Sequence, residues 1–288
     1  MYADDHQVHH SGSNTTAAIS KLAKEAENVS QWYKANLLQA NPKKYQVLAM
    51  TPRNIDKEEK DKETLEIENQ KLKPAANLRI LGVNIDDQLS FSEHISDICK
   101  KASRKIGVLA RLRNLIPCKT KLQLYLTAIL PHLTYCQIVW HFCKQSERRK
   151  LERLQERALR AIYNCRTDTY EDLLRRANLP SLYNRRLQEI LILMYKVKNG
   201  LAPDYIGELF NFVNKGYSLR NADFDIPRYL TVRYGKHSIR YLGPYLWSRL
   251  SSSDRQRPSL DNFRRNIRKK DLTSFIKGTC TNCNLCVF

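Results

Sequence analysis

The sequence predicts an α+β protein that is predominantly α-helical, and three observations carry that prediction. Short apolar runs of strand type stand in the first ninety or so residues, whereas after Ser92 apolar residues recur every three or four positions for about a hundred residues. Gly and Pro number only 9 and 10 among 288 residues, which excludes collagen-like and wholly disordered chains. The charge is uneven as well: 49 Lys and Arg stand against 29 Asp and Glu, a net +20. Met1 to Pro74 holds 11 basic and 11 acidic residues, so the remaining 38 and 18 place the whole surplus after Pro74. A surplus of that size exceeds what solubility needs and points to an anionic partner, nucleic acid or an acidic membrane surface.

Taken in order, Met1 to Ser13 is polar and broken by Gly12. Asn14 then opens a predicted helix in which Ile19, Leu22, Ala26, Val29 and Trp32 or Tyr33 share one face, ending near Asn41-Pro42. Tyr45 to Met50 is a predicted strand, and the charged stretch Asn54 to Lys62 a loop or hairpin tip. Leu78 to Asp86 predicts a second, largely buried strand. Ser92 is an expected N-cap for a helix with Ile95, Ile98, Ala102, Ile106 and Leu109 inward and Lys100, Lys101, Arg104, Lys105 and Arg111 outward. The stretch 151–162 repeats the pattern, with Leu151, Leu154, Ala158 and Ile162 inward and Arg149, Lys150, Arg153, Arg157 and Arg160 outward.

Further helices are expected over Thr120 to Leu133, with Pro131 kinking or ending it, over Glu171 to Asn178, and over Leu182 to Lys198, which Gly200 stops. Tyr229 to Leu242 alternates like a hairpin turning near Gly235-Lys236, and a basic helix carrying Arg264, Arg265, Arg268, Lys269 and Lys270 starts near Ser259. Boundaries near Phe91 and Asn211 divide the chain into 1–91, 92–210 and 211–288. The apolar runs are far shorter than the roughly 20 residues that span a bilayer. With no leader pattern and five of the eight cysteines scattered singly, the expectation is an intracellular protein of nucleus or cytoplasm with reduced thiols and no membrane association.

Two places could carry metal chemistry. Asp4-Asp5 offers adjacent carboxylates suited to a hard divalent cation such as Mg²⁺, although an Asp-Asp pair near a terminus is ordinarily a solvated turn. Cys280, Cys283 and Cys286 have the spacing of Zn²⁺ ligands but number three, so a fourth ligand from elsewhere would be needed; free thiols are the plainer alternative. The outward cations suit phosphate neutralisation, against the alternative of a merely solvated face.

The run Tyr2-Ala3-Asp4-Asp5 resembles the palm motif of reverse transcriptases of non-LTR retrotransposons, and the following order agrees. A helix containing Trp32 leads to Asn41 and Lys44, which match the family's Asn-x-x-Lys, and then to an apolar strand. Leu81-Gly82-Val83-Asn84-Ile85-Asp86, with Leu89, Phe91 and His94, resembles the strand and turn leading into the thumb; Tyr229 to Leu250 is similar to the segment following the polymerase in jockey-like and CR1-like elements. The resemblance implies RNA-templated DNA synthesis by two-metal-ion chemistry, with Asp4 and Asp5 holding Mg²⁺, Lys44 beside the leaving pyrophosphate, and RNA template and DNA primer as partners. It places Asp86-Asp87 as a structural turn and the basic helices as a thumb. It also requires another metal-binding Asp and fingers upstream of Tyr2, so the expected state of this polypeptide alone is catalytically inactive. The competing expectation is a non-catalytic nucleic-acid-binding protein.

Overall fold

The computed structural model describes residues 6–50, 64–67, 70–112, 114–213 and 223–276. It divides into two compact units, 1–91 and 92–288.

The first unit is α plus β. Helix α1 (Thr15–Ala35) starts where the sequence places it, because the Asn14 side chain accepts from the Ala17 N–H at 2.7 Å. It ends earlier than expected. Asn36 caps the last turn and Leu37 turns left-handed at φ 56°, which stops the helix before Asn41-Pro42. Below α1, strands β1 (Leu65–Ile67) and β2 (Gln70–Leu72) pair antiparallel with Leu65 opposite Leu72. Both leucines are buried with Val47, and Ile19, Leu22 and Ala23 of α1 pack on them. The predicted strand over Tyr45 to Met50 reduces to one bridge, Val47 to Pro74. Proline has no N–H to continue a ladder, and the bond passes instead to Ala75, whose N–H donates to the Val47 carbonyl at 2.7 Å. The charged stretch Asn54 to Lys62 lies outside the described residues.

The single strand expected over Leu78 to Asp86 is a hairpin of β3 (Asn77–Ile80) and β4 (Val83–Asp86). The fold-back lies at Leu81-Gly82, with φ 45° and 84°, the two left-handed residues that a tight hairpin needs. Only Val83 in it is buried. Asp86 then organises the exit from the hairpin: its carboxylate accepts from the N–H groups of Gln88, Ser90 and Phe91 at 3.1, 2.9 and 2.6 Å and from the Ser90 hydroxyl at 3.1 Å. The carboxylate is thus occupied in holding the turn.

The second unit is helical. Helix α2 (Ser92–Arg111) includes Ser92 as its first residue rather than as a cap, and it buries Ile95, Ile98, Ala102, Ile106 and Leu109. Residues 118–134 form one helical run in three pieces, α3 (Cys118–Leu124), a π-turn (Tyr125–Ile129) and α4 (Leu130–Thr134). Pro131 sits at the start of α4, and the wide turn ahead of it is how the run accommodates a residue that cannot donate. The following turn buries Trp140, whose indole N–H donates to the Tyr135 carbonyl at 2.9 Å.

Helices α5 (Gln145–Tyr163), α6 (Tyr170–Ala177) and α7 (Leu182–Lys198) follow. Helix α7 is the centre of the unit, buried on almost every side. Its start is fixed by Ser181, which accepts from Asn184 N–H, and by Glu152 of α5, whose carboxylate accepts from the N–H groups of Leu182 and Tyr183 at 3.1 and 2.7 Å. Its end is closed by Gly200 at φ 65° and by Leu201 N–H donating back to the Lys196 carbonyl.

The short helix α8 (Asp204–Gly207) precedes the C-terminal part. The expected hairpin over Tyr229 to Leu242 is absent. In its place stand a π-turn (Val232–Lys236) and helix α9 (Ile239–Ser248), because Leu242, Leu246, Trp247 and Leu250 are the residues that reach the core, and their spacing is helical. The alternating residues ahead of them find no strand partner, and Leu230 and Val232 stand exposed. Gly243 permits the contact of α9 with α7, since a Cβ there would lie 2.5 Å from the Met194 sulfur. Helices α10 (Ser252–Arg255) and α11 (Leu260–Ile267) complete the unit, with Phe263 stacked on Tyr195 at 4.4 Å. No described helix is long and apolar enough to cross a membrane.

Candidate nucleic-acid interface

Helices α2 and α5 pack side by side and run in the same sense. The Cys99 thiol lies in the field of Glu147 and Lys150, and further along Arg157 donates to the Ser103 carbonyl at 3.2 Å. The apolar stripes of both helices face inward, which leaves their cationic stripes on the surface. On α2 no carboxylate occurs after Asp97, while Lys100, Lys101, Arg104, Lys105 and Arg111 are all exposed. On α5, Arg149, Lys150, Arg153 and Arg157 are exposed and Arg160 is half-buried.

These ten cations differ in what they already hold. Lys150 pairs with Glu147 at 2.9 Å, and Lys100 stands 3.8 Å from Asp97. Arg160 is held by Glu156 at 2.8 Å and by the Arg166 carbonyl at 2.7 Å. Lys105 donates to the Ala128 carbonyl at 3.0 Å, inside the π-turn, and Arg157 links the two helices. Lys101, Arg104, Arg111, Arg149 and Arg153 make no hydrogen bond or ion pair among the described residues. The field of the surface is felt by His132, whose pKa is lowered by its partial burial and then by Lys105 and Lys101. From Lys100 to Arg111 the helix runs roughly 16 Å at 1.5 Å per residue, about five phosphate steps of a duplex strand. Such a stripe neutralises phosphates and releases counterions without reading sequence.

The other expected site residues are not gathered here. Asp4 and Asp5 lie outside the described residues, as do Cys280, Cys283 and Cys286. Lys44 ends a single 3₁₀ turn (Pro42–Lys44), capped by the Asn41 side chain accepting from Lys43 N–H at 3.1 Å, and its side chain is exposed. Among the described residues no three His, Cys, Asp or Glu side chains are grouped to hold a metal. Of the two alternatives for the last position of the α1 stripe, Tyr33 is half-buried, whereas Trp32 is 47% exposed, tilted against His6 at 5.8 Å and edge-on to Tyr33 at 5.7 Å.

The sequence reading passed over one cluster. Arg186 is fully buried in α7, its guanidinium 5.2 Å from the Trp140 ring and 5.6 Å from the Tyr183 ring, and Arg148 lies 4.9 Å from the same tyrosine. The tandem Arg185-Arg186 shortly before the apolar run Ile190 to Tyr195 was the available signal.

The fold and surface thus define a small α/β unit and a helical unit with a cationic two-helix face. Over 167 residues the chain is 24% identical to a protein described as a probable RNA-directed DNA polymerase from transposon BS of Drosophila melanogaster. The match covers 57% of this chain and 18% of that protein, so the chain spans less than a fifth of its relative. That likeness supports a reverse-transcriptase-like origin. No family model and no solved structure matches.

Proposed function

We propose that the chain is a part of the reverse transcriptase of a jockey-like or CR1-like non-LTR retrotransposon, with residues 1–91 as the end of the palm, 92–210 as a thumb and 211–288 as an accessory region. The observation that supports this most is the set of unpaired cations on α2 and α5, placed after a motif order of reverse-transcriptase type and in a chain whose relative is described as an RNA-directed DNA polymerase. On this reading the α2/α5 face grips a template–primer duplex. Asp4 and Asp5 would hold Mg²⁺ and Lys44 would sit beside the leaving pyrophosphate, while the Cys280, Cys283 and Cys286 tail would take Zn²⁺ with a fourth ligand from elsewhere. On this reading the 288 residues alone bind duplex without extending it. The second reading, a nucleic-acid-binding protein without catalysis, shares the same face and the same engaged Asp86.

Filter binding of an RNA–DNA hybrid across a salt series, run beside extension of a labelled primer with Mg²⁺, tests both readings. The expected result is binding that weakens steeply with salt and no extension. Absence of binding at low salt would refute the nucleic-acid role. Extension abolished by Asp4→Ala would refute the inactivity of the isolated chain and favour the polymerase reading over the second.

A further inference from the structure

Beneath the 135–144 turn lies a cluster that nucleic-acid binding does not use. Arg186 is completely buried, and all three of its guanidinium nitrogens lack a hydrogen-bond partner. His141, 1% exposed, is stacked on Tyr183 at 5.5 Å, and its Nδ1 is likewise without a partner. Trp140 and Tyr183 wall the guanidinium with ring faces, which attract a cation but accept no ordinary hydrogen bond. Buried guanidinium groups are ordinarily paired, because stripping water from a fixed charge is costly.

The charges nearby do not balance. Arg186 and Arg148 both approach the Tyr183 ring, and Glu152 is the carboxylate whose field reaches Arg186. Glu152 makes no hydrogen bond to it, being occupied by Leu182 N–H, Tyr183 N–H and the Tyr170 hydroxyl at 2.6 Å. Glu147 is taken by Lys150. His141 cannot supply the missing negative charge, and Arg148 and Arg186 both add positive field at its ring. One positive charge with five unused N–H donors, plus a ring nitrogen beside it, is the donor set of an anion site.

We propose that Arg186 and His141 hold a small inorganic anion, a halide or a single oxyanion no larger than phosphate, buried beneath the 135–144 turn. Complete burial of Arg186 excludes a nucleic-acid strand from reaching it, so this site is separate from the α2/α5 face. The anion completes the charge balance where α5, α7 and the turn meet, and so serves as a structural part of the helical unit.

The test is the thermal unfolding of the full chain at fixed ionic strength, with sodium gluconate replaced stepwise by sodium chloride or by sodium phosphate. The expected result is a saturable rise in melting temperature with at least one of the two, which tells halide from oxyanion, and its loss in Arg186→Met. A rise of the same size in Arg186→Met would place the effect on the surface and overturn the proposal. So would the absence of any anion-specific rise, or an Arg186→Met chain more stable than the parent in every buffer, since the parent site would then be empty or hold only water. His141→Phe keeps the ring stack and removes the donor, giving a second variant should Arg186→Met fail to fold. Its anion response should shift several-fold to higher concentration, and an unchanged response would also overturn the proposal.

Discussion

Two groups of cations, alike in sequence, are used differently. Those of α2 and α5 stand on helix surfaces with five of ten unpaired, whereas four of the five near the C-terminus, all but Lys269, have side-chain partners. Arg268 pairs with Glu189 of α7, and Lys270 reaches Asp254 at 2.7 Å. Arg264 pairs with Asp261 at 2.9 Å, and Arg265 donates to the Asn262 side chain at 2.8 Å. The backbone there is stapled too: Asn184 and Gln188 of α7 donate to the Lys270 carbonyl, both at 3.0 Å, and the Asn184 side chain accepts from Leu272 N–H at 2.9 Å. A run of Arg and Lys is therefore not in itself a binding surface. What separates the two groups is the supply of acceptors within reach.

The strongest way to break that distinction is to neutralise the unpaired set. Replacing Lys101, Arg104, Arg111, Arg149 and Arg153 together by Gln should abolish most duplex binding and flatten the salt slope by about 4.5, since each lost phosphate contact removes roughly 0.9 from it. Thermal melting should change little, as exposed charges contribute roughly 0–1 kcal/mol each. A chain that bound normally after this change would erase the distinction. The converse change is Asp254→Ala. Asp254 is 3% exposed and accepts from Lys270, Asn266 and the Ser251 hydroxyl, so its loss should cost about 3 kcal/mol in denaturant unfolding. Its salt slope for binding should match the parent.

Smaller effects sharpen the picture. Arg153→Gln alone should lower the salt slope by about one, while Arg264→Gln should leave it unchanged. The smallest effect expected is one of pH. Burial, followed by Arg148 and Lys236, lowers the pKa of His237 from 6.5 to about 4. The unfolded chain then binds a proton that the folded chain refuses, so stability present at neutral pH is lost as pH falls from about 6.5 towards about 4. His237→Gln should show a shallower decline in melting temperature across that window, and identical pH curves would count against the burial of this ring.

The helical unit was largely legible because local and tertiary signals agree there. The inward residues of α2 and α5 fall on the predicted stripe, and Gly200 and the limits of α7 match their cap signals, as Asn14 does in the first unit. Legibility failed where two periods compete. Residues 229–242 alternate, yet no strand lies within reach, and the helical spacing of Leu242, Leu246 and Trp247 decides the outcome. Leu78 to Asp86 failed for the opposite reason: Leu81 in a left-handed conformation is uncommon for its residue type, so a fold-back at that point left little trace beyond Gly82. Of the candidate site, the cationic stripes were legible from periodicity, whereas the partners that remove some of those cations lie on other elements. Arg186 was hidden for a related reason. Beyond the tandem Arg185-Arg186, nothing local marks which arginine is buried.

The π-turn at Tyr125–Ile129 is in effect a frame offset written into a helix. It takes up one residue more than a regular turn, a residue that would amount to about 100° of rotation about the axis in a regular helix. The wide turn absorbs that rotation, and Leu130 and Leu133 beyond it stay buried. Removing a single residue between positions 125 and 129 should therefore give a regular helix with both leucines still facing the core, whereas removing one on either side of the turn would rotate them away. Changes of length in this run are thus tolerated best within the turn itself.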